Sequence, residues 1–532
     1  MSERDTSPPT PALPAQTPAR LAPGDRVVMI GGGPAGLTAA YELLKRRPGT
    51  RVTVLEALGL VGGISRTESL EGYRFDIGGH RFFTKVPEVE AMWHEVLGAE
   101  FIRVKRLSRI FYRGKFYDYP LKPLNALRNI GLYETVRILL SLLKWKVRPY
   151  RQEDTFTQWV TNRFGGRLYM HFFHSYTQKV WGTPPQQIRA DWAAQRIQNL
   201  TLWKAIMVSI KGGNDTRSLI ETFNYPRLGP GQMWEMTAAA IEDRGGTVAL
   251  NTQVVTVRRE GMRVTGLVTR PTPLQDGGQP GEQPEDQPGP APAGVEIAGE
   301  SFINSMDLRG LVRAMDPPAP PEVRAAAEKL RYRDFLIVTL VLADPDPFPD
   351  NWIYVHTRVK VGRIQNFRAW SADMVPDPGT SSIGMEYFCQ EGDDLWTMSD
   401  EGLRDLAARE LEELGLGRAE AVVKAKVIRQ PKAYPVYDTD YQEALGVVRG
   451  WLDGFENLQT VGRNGLHRYN NQDHSMLSAL YAARNLMGEC HDLWEVNVER
   501  SYHEEFEVKE PPRSAKPAKT TSCEQSGSKA SA

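Results

Sequence analysis

Six residues, Gly31-Gly32-Gly33-Pro34-Ala35-Gly36, stand between the apolar run Arg26–Ile30 and a helical pattern from Leu37 to Lys45. One carboxylate, Glu56, closes the next apolar run, Arg51–Leu55. In this order they are suited to holding a diphosphate and a ribose. Gly31 permits a tight turn, Gly33 lets main chain approach a pyrophosphate, and Gly36 lets the helix pack on the strand. The helix opening at Pro34 and Ala35 offers its first N–H groups and the positive end of its dipole to the phosphates. Glu56 lies twenty residues after Gly36, where its carboxylate accepts hydrogen bonds from an adenosine ribose. Glycines are common in turns, so only the conjunction of strand, turn, helix, strand and acid discriminates.

The segments after Glu56 favour FAD over NAD. Glu56 leads into Gly62-Gly63 and Arg66-Thr67, then Phe75-Asp76-Ile77-Gly78-Gly79-His80. Two glycine pairs in this order let backbone approach the pyrophosphate and ring of a flavin. Near the C-terminus Val461-Gly462-Arg463-Asn464-Gly465 precedes a helix from about Ser475 to Met487 whose start faces the flavin. Gly462, Arg463, Asp473, Ser475 and Met476 therefore join the expected cofactor set. Val254, on a strand after Gly245-Gly246, either holds adenine through its backbone or is a plain core valine.

These residues resemble the amine-oxidase and protoporphyrinogen-oxidase superfamily of flavoproteins, and further segments look more specifically like the UDP-galactopyranose mutases. They are Gly78-Gly79-His80-Arg81-Phe82-Phe83, Tyr176 to Pro185 (YTQKVWGTPP) continuing to Trp192 and Arg196, Phe223 to Trp234, and Gly462 to Gly465 with Tyr469 and Asn471-Gln472-Asp473-His474-Ser475. They fall in that family's order between about residues 26 and 490. The resemblance implies chemistry through reduced FAD, whose N5 attacks the anomeric carbon of a UDP-sugar. UDP leaves and returns, pyranose and furanose forms exchange, and no side-chain base dominates. It also implies NADH or NADPH as a source of electrons, and arginines and tyrosines around a diphosphate.

Carried over by position, His80, Arg196 and Arg363 support catalysis, while Trp181, Arg196, Tyr354, Arg363, Arg463 and Tyr469 contact substrate. Each has a plainer reading: a salt-bridged strand arginine, a core tryptophan, a histidine bonded to its own turn. A tyrosine that the eukaryotic mutases place ahead of their Tyr-Pro segment has no counterpart before Tyr434-Pro435, where Lys426 stands. The rival readings are an FAD oxidoreductase (amine oxidase, porphyrinogen oxidase or polyene desaturase) with an apolar or amine-binding pocket, and a non-catalytic FAD- or nucleotide-binding module.

Positioning these groups requires an α/β chain: an FAD-binding, Rossmann-like domain of the two-dinucleotide-binding type, a helical subdomain, and a mixed, largely antiparallel sheet substrate domain. The cofactor domain is expected from residues 25–98, 232–320 and 455–500, the helical part from 99–231 and the sheet part from 321–454. Phe335–Leu342, Trp352–His356, Arg363–Trp370 and Ile383–Phe388 read as strands, Pro87–Leu97 and Ser399–Leu414 as helices. Tyr133–Val147 reads as a half-buried helix of the second domain, with a helix lying on a membrane surface as the alternative. Residues 1–24 and 508–532 read as disordered tails, and 271–294 as a mobile insertion.

The 532 residues carry 65 Lys and Arg against 65 Asp and Glu, which argues against a nucleic-acid binder and leaves room for a local basic pocket. Cys389, Cys490 and Cys523 form no CxxC pair, so neither a zinc site nor a disulfide framework is expected, and a reducing, cytoplasmic setting fits. No uncharged run approaches the roughly 20 residues that span a bilayer. The partner expected is a small molecule, a nucleotide sugar.

Overall fold

A computed structural model of the protein describes residues 20–119, 123–190, 222–272, 294–438 and 440–497. Arg196 and Trp192, almost all of both tails and nearly all of the 271–294 insertion lie outside these residues.

Strand Arg26–Ile30 is apolar throughout because both of its faces are covered. Val27 and Met29 pack with Leu37, Leu43, Trp234, Met476 and Leu480. Val28 and Ile30, pointing the other way, pack with Leu267, Phe302, Leu308 and Val448. Such two-sided burial is the mark of a parallel sheet. Five strands form it, in the order Leu458–Thr460, Ser301–Asn304, Arg26–Ile30, Arg51–Leu55, Thr247–Ala249, every pairing parallel. Helices Pro34–Arg46, Gly231–Glu242 and Gln472–Leu486 cover one face, and the first packs on both others. A four-stranded sheet built on Thr252–Glu260 and Arg263–Pro271 lies on the other. Gly36 is required where helix meets strand: an added Cβ would collide with the Gly31 carbonyl oxygen.

The second large sheet has seven strands, in the order Val422–Pro435, Tyr332–Leu342, Ser381–Cys389, Arg363–Asn366, Trp352–Val355, Ser108–Tyr112, Lys115–Asp118. Its pairings are antiparallel except Trp352–Val355 with Ser108–Tyr112. Two of these strands come from the stretch expected to be helical, 99–231, so the large sheet does not begin at residue 321. Phe111 supplies the reason, being buried with Ile353 and Val355 on one face. The expected strand Arg363–Trp370 ends at Asn366, and Phe367–Trp370 forms a helical turn that lets Trp370 Nε1 donate to the Asn351 carbonyl at 2.8 Å. Helix Leu132–Val147 buries Thr135, Ile138 and Leu142, while its opposite side, though apolar, is exposed. No helix among the described residues is long and apolar enough to cross a membrane.

Candidate functional site

Because parallel strands end together, Ile30, Leu55, Ser305 and Gly462 meet at one edge of the first sheet, the usual ligand edge of such sheets. A cavity of about 640 Å³ opens there. Gly31, Gly33, Pro34 and Ala35 line it at the start of helix Pro34–Arg46, and Gln472 and Ser475 at the start of helix Gln472–Leu486. Two helix N-termini thus face one cavity, and Gly33 caps the first without any side-chain bond. Positive dipole ends at both starts, and the first turn of Pro34–Arg46 with no side-chain cap, suit a diphosphate. The Glu56 carboxylate lines the same cavity and accepts from the amides of Gly32 (2.6 Å) and Leu58 (2.8 Å). Burial raises its pKa, against the pull of those N–H groups. Ser65 Oγ, Asn464 Oδ1 and Gln472 Oε1 are buried lining atoms with no hydrogen-bond partner, as a site shaped for a polar ligand requires.

Of the other expected cofactor residues, Gly63, Val254, Gly462 and Arg463 line the cavity. Gly62 sits just behind, its amide donating to the Gly32 carbonyl at 2.8 Å. Arg66 turns away, pairing with Glu68 at 2.8 Å while its Nη1 braces the Gly63 carbonyl at 3.0 Å. Met476 belongs to the core: its sulfur accepts from Trp93 Nε1 at 3.1 Å. Asp473 is buried with its carboxylate 3.3 Å from His474 Nδ1. Lys432 and Asp307, which no motif singled out, line the cavity as an ion pair at 2.8 Å.

Beyond Arg463 lies an aromatic chamber. The Arg463 guanidinium donates to the carbonyls of Asn470 (2.8 Å) and Ala433 (3.0 Å) and lies 5.0 Å from the Tyr469 ring and 5.7 Å from the Tyr434 ring. Those two rings stack at 5.4 Å, with Trp181 just over 6 Å from each. Sheet register supplies the charged floor, because Tyr354, Arg363 and Glu386 are direct cross-strand neighbours on three adjacent strands. Arg363 Nε is 2.9 Å from Glu386 Oε2, and its Nη2 donates to the Tyr434 hydroxyl at 2.8 Å. Burial pushes the Glu386 carboxyl up, and the attraction of Arg363 only partly offsets it. Burial also acts against the Arg363 charge, but Glu386 and the surrounding tyrosines outweigh it and the guanidinium stays protonated.

His80 sits beside this floor, with Gly79 under the Trp352 ring, where an added Cβ would collide. Its Nδ1 is 2.9 Å from the Gly78 carbonyl, which fixes the Nδ1–H tautomer and leaves Nε2 as an acceptor. Burial, helped by the charges of Arg463 and Arg363, pushes its pKa down to about 3. The imidazole is neutral at any ordinary pH.

Glu386 was invisible to motif reading, yet a glutamate within the otherwise uncharged strand Ser381–Cys389 is itself a signal, since a lone carboxylate in a buried strand needs a partner. His356 was likewise missed, and Tyr176 and Lys179, though within the Tyr176 to Pro185 segment, were given no role of their own. Tyr176 stacks on His356 at 4.2 Å. Lys179 Nζ donates to the carbonyls of Val355, Val359 and Val361 at 2.8–3.1 Å, so the charged residue of the Lys-Val-Trp-Gly segment ties down the loop after Trp352–Val355.

Residues 34–434 match the family described as flavin containing amine oxidoreductase. Among solved structures the protein is similar to a reduced UDP-galactopyranose mutase, with 20% identity, 87% of this chain and 96% of that one covered, and a TM-score of 0.71. It is also similar to an engineered putrescine oxidase, with 17% identity, 87% and 99% coverage, and a TM-score of 0.55. Among curated proteins it is 31% identical over 137 residues to protoporphyrinogen oxidase 2, chloroplastic/mitochondrial, of Arabidopsis thaliana. That match spans 25% of this chain and 26% of the relative's length.

Proposed function

Because the chain belongs to the flavin-containing amine oxidoreductase family, and so is a flavoenzyme, we propose that its cofactor is FAD and that it acts on a nucleotide sugar as a ring-form isomerase. The observation that carries this reading is the polar floor beyond the cavity: Tyr354, Arg363 and Glu386 in register, beneath Tyr434, Tyr469 and Arg463. A porphyrinogen or polyene calls for an apolar slot. Tyrosine hydroxyls and a guanidinium held by neutral carbonyls suit a hydroxyl-rich, anionic substrate.

In this reading the helix starts at Pro34 and Gln472 take the FAD diphosphate and Glu56 takes the ribose. Reduced FAD supplies a nucleophilic N5. Arg463 holds the substrate diphosphate, since its carbonyl partners leave its charge in place. Glu386 neutralises Arg363, which then orients Tyr434 more than it binds phosphate. Trp181 packs along the sugar or uridine. His80, neutral, accepts a hydrogen bond at Nε2 and carries no proton through the cycle. The likeness to the reduced mutase supports this reading at the level of fold.

The test is direct. Purified protein, reduced with dithionite, is mixed with UDP-galactopyranose and UDP-galactofuranose and the ring forms are separated by chromatography. Exchange is expected only in the reduced state, with a flavin spectrum that responds to UDP. A net oxidoreductase is the second reading, favoured by the similarity to protoporphyrinogen oxidase 2. It requires oxygen or quinone consumption with an apolar or amine substrate, and activity nearly indifferent to Arg463→Ala.

A further inference from the structure

Helix Leu132–Val147 packs one side against helix Phe156–Phe164 and the turn Gly166–Leu168. Its other side is apolar as well: Leu132, Tyr133, Val136, Leu140, Leu143 and Val147 are 47–82% exposed. At 3.6 residues per turn these six fall within an arc of about 100°, away from the buried stripe. A helix on the surface of a globular protein ordinarily turns a charged face to water. A contiguous exposed apolar stripe of this kind marks an interaction surface.

The charges sort around that arc. By the same helical geometry Arg137 and Lys144 fall on one flank and Lys146 on the other. Glu134, the helix's single acidic residue, turns inward, where Arg167 Nη2 donates to it at 2.9 Å and His171 Nε2 lies at 2.8 Å. From Arg128 to Arg151 the chain has six lysines and arginines against that one carboxylate, in a protein of zero net charge. The neighbouring helix Pro123–Ile130 is tied to edge strand Lys115–Asp118, through Lys115 Nζ to the Asn129 carbonyl and Asn129 Nδ2 to the Phe116 carbonyl, so the patch is held at the rim of the large sheet.

We infer that this helix lies in the headgroup layer of an anionic lipid membrane, with the apolar arc toward the acyl chains and Lys144 and Lys146 on lipid phosphates. An apolar arc rimmed by lysines is the pattern of an interfacial helix. Sixteen residues give about 24 Å, short of the roughly 30 Å hydrocarbon core. The buried stripe holds the helix to the protein, so it lies in the membrane plane. A second copy of the chain suits the patch poorly, because a twofold contact would press one basic rim against the other.

The full-length flavoprotein is cosedimented with vesicles of phosphatidylcholine alone and of phosphatidylcholine with phosphatidylglycerol, in parallel with Leu140→Glu/Leu143→Glu and Lys144→Glu/Lys146→Glu variants. The wild type is expected to bind the anionic vesicles about tenfold or more tightly than the neutral ones. Each double variant is expected to lose about tenfold or more of that binding, at unchanged flavin content. Equal binding to both vesicle types, or variants that bind as the wild type does, overturns the inference. So does a wild-type dimer that Leu140→Glu/Leu143→Glu converts to monomer on a sizing column, since a second copy then covers the face.

Discussion

Replacing Glu386 by Gln tests the polar floor most sharply. The Arg363 and Glu386 side chains are 13% and 0% exposed and 2.9 Å apart. Removing one member of such a pair strands a buried charge, at a typical cost of 3–5 kcal/mol. The introduced amide has one oxygen, which can face Arg363 or keep the bond that Gln365 Nε2 now donates at 2.7 Å but not both, so E386Q should cost about 3–5 kcal/mol. Arg363→Met leaves the opposite orphan, a carboxylate already raised by burial, which without its guanidinium rises further. A folded-state pKa above the unfolded one gives stability that is complete below the unfolded value and lost as pH rises. R363M should therefore lose more stability at pH 8 than at pH 5, relative to the wild type. The double variant should be less destabilised than the sum of the singles by about 2 kcal/mol. Urea midpoints followed by tryptophan fluorescence on flavin-saturated protein measure all three. Single variants each shifted by less than about 0.5 kcal/mol would place the pair among solvated surface ion pairs, and the account of a dry polar floor would be wrong.

Asp76, buried and bonded by the hydroxyls of Tyr225 and Thr67, is pushed up to about 7 by burial. Its contribution is complete below about pH 4 and lost as pH rises through 7, up to on the order of 4 kcal/mol, so Asp76→Asn should flatten the wild-type decline in melting temperature over that window. Gly36→Ala forces a methyl into the Gly31 carbonyl and should yield protein without stoichiometric flavin, read from the visible spectrum. Lys179→Met removes three bonds from a buried ammonium and should cost about 2–3 kcal/mol, with faster amide exchange in residues 355–361 as the specific readout. With His80 already neutral, the pH–rate profile should show no inflection near 6.5 that His80→Gln abolishes; such an inflection would contradict the half-buried, unprotonated imidazole.

The glycine turn, Glu56 and the apolar strand Arg26–Ile30 were legible in the chain itself because their requirements are local. A turn that admits no Cβ, a helix start without a side-chain cap and a strand apolar on both faces each leave a mark within a few residues. So did Arg463, which comes after a glycine at a strand end and lies where the cavity meets the chamber. The outcome for Arg363 was not legible. Whether a strand arginine meets a phosphate or a carboxylate depends on which strands lie beside it, and that register brings Glu386 from twenty-three positions onward directly opposite it. Likewise, the apolar pattern of Leu132–Val147 reports an amphipathic helix but not which arc is covered. Only packing decides that Thr135, Ile138 and Leu142 go inward and the longer stripe stays outside. Sequence determines what each segment can form and contact nearby. Long-range register and packing, which join residues hundreds of positions apart, decide which charges neutralise one another and which faces remain for a partner.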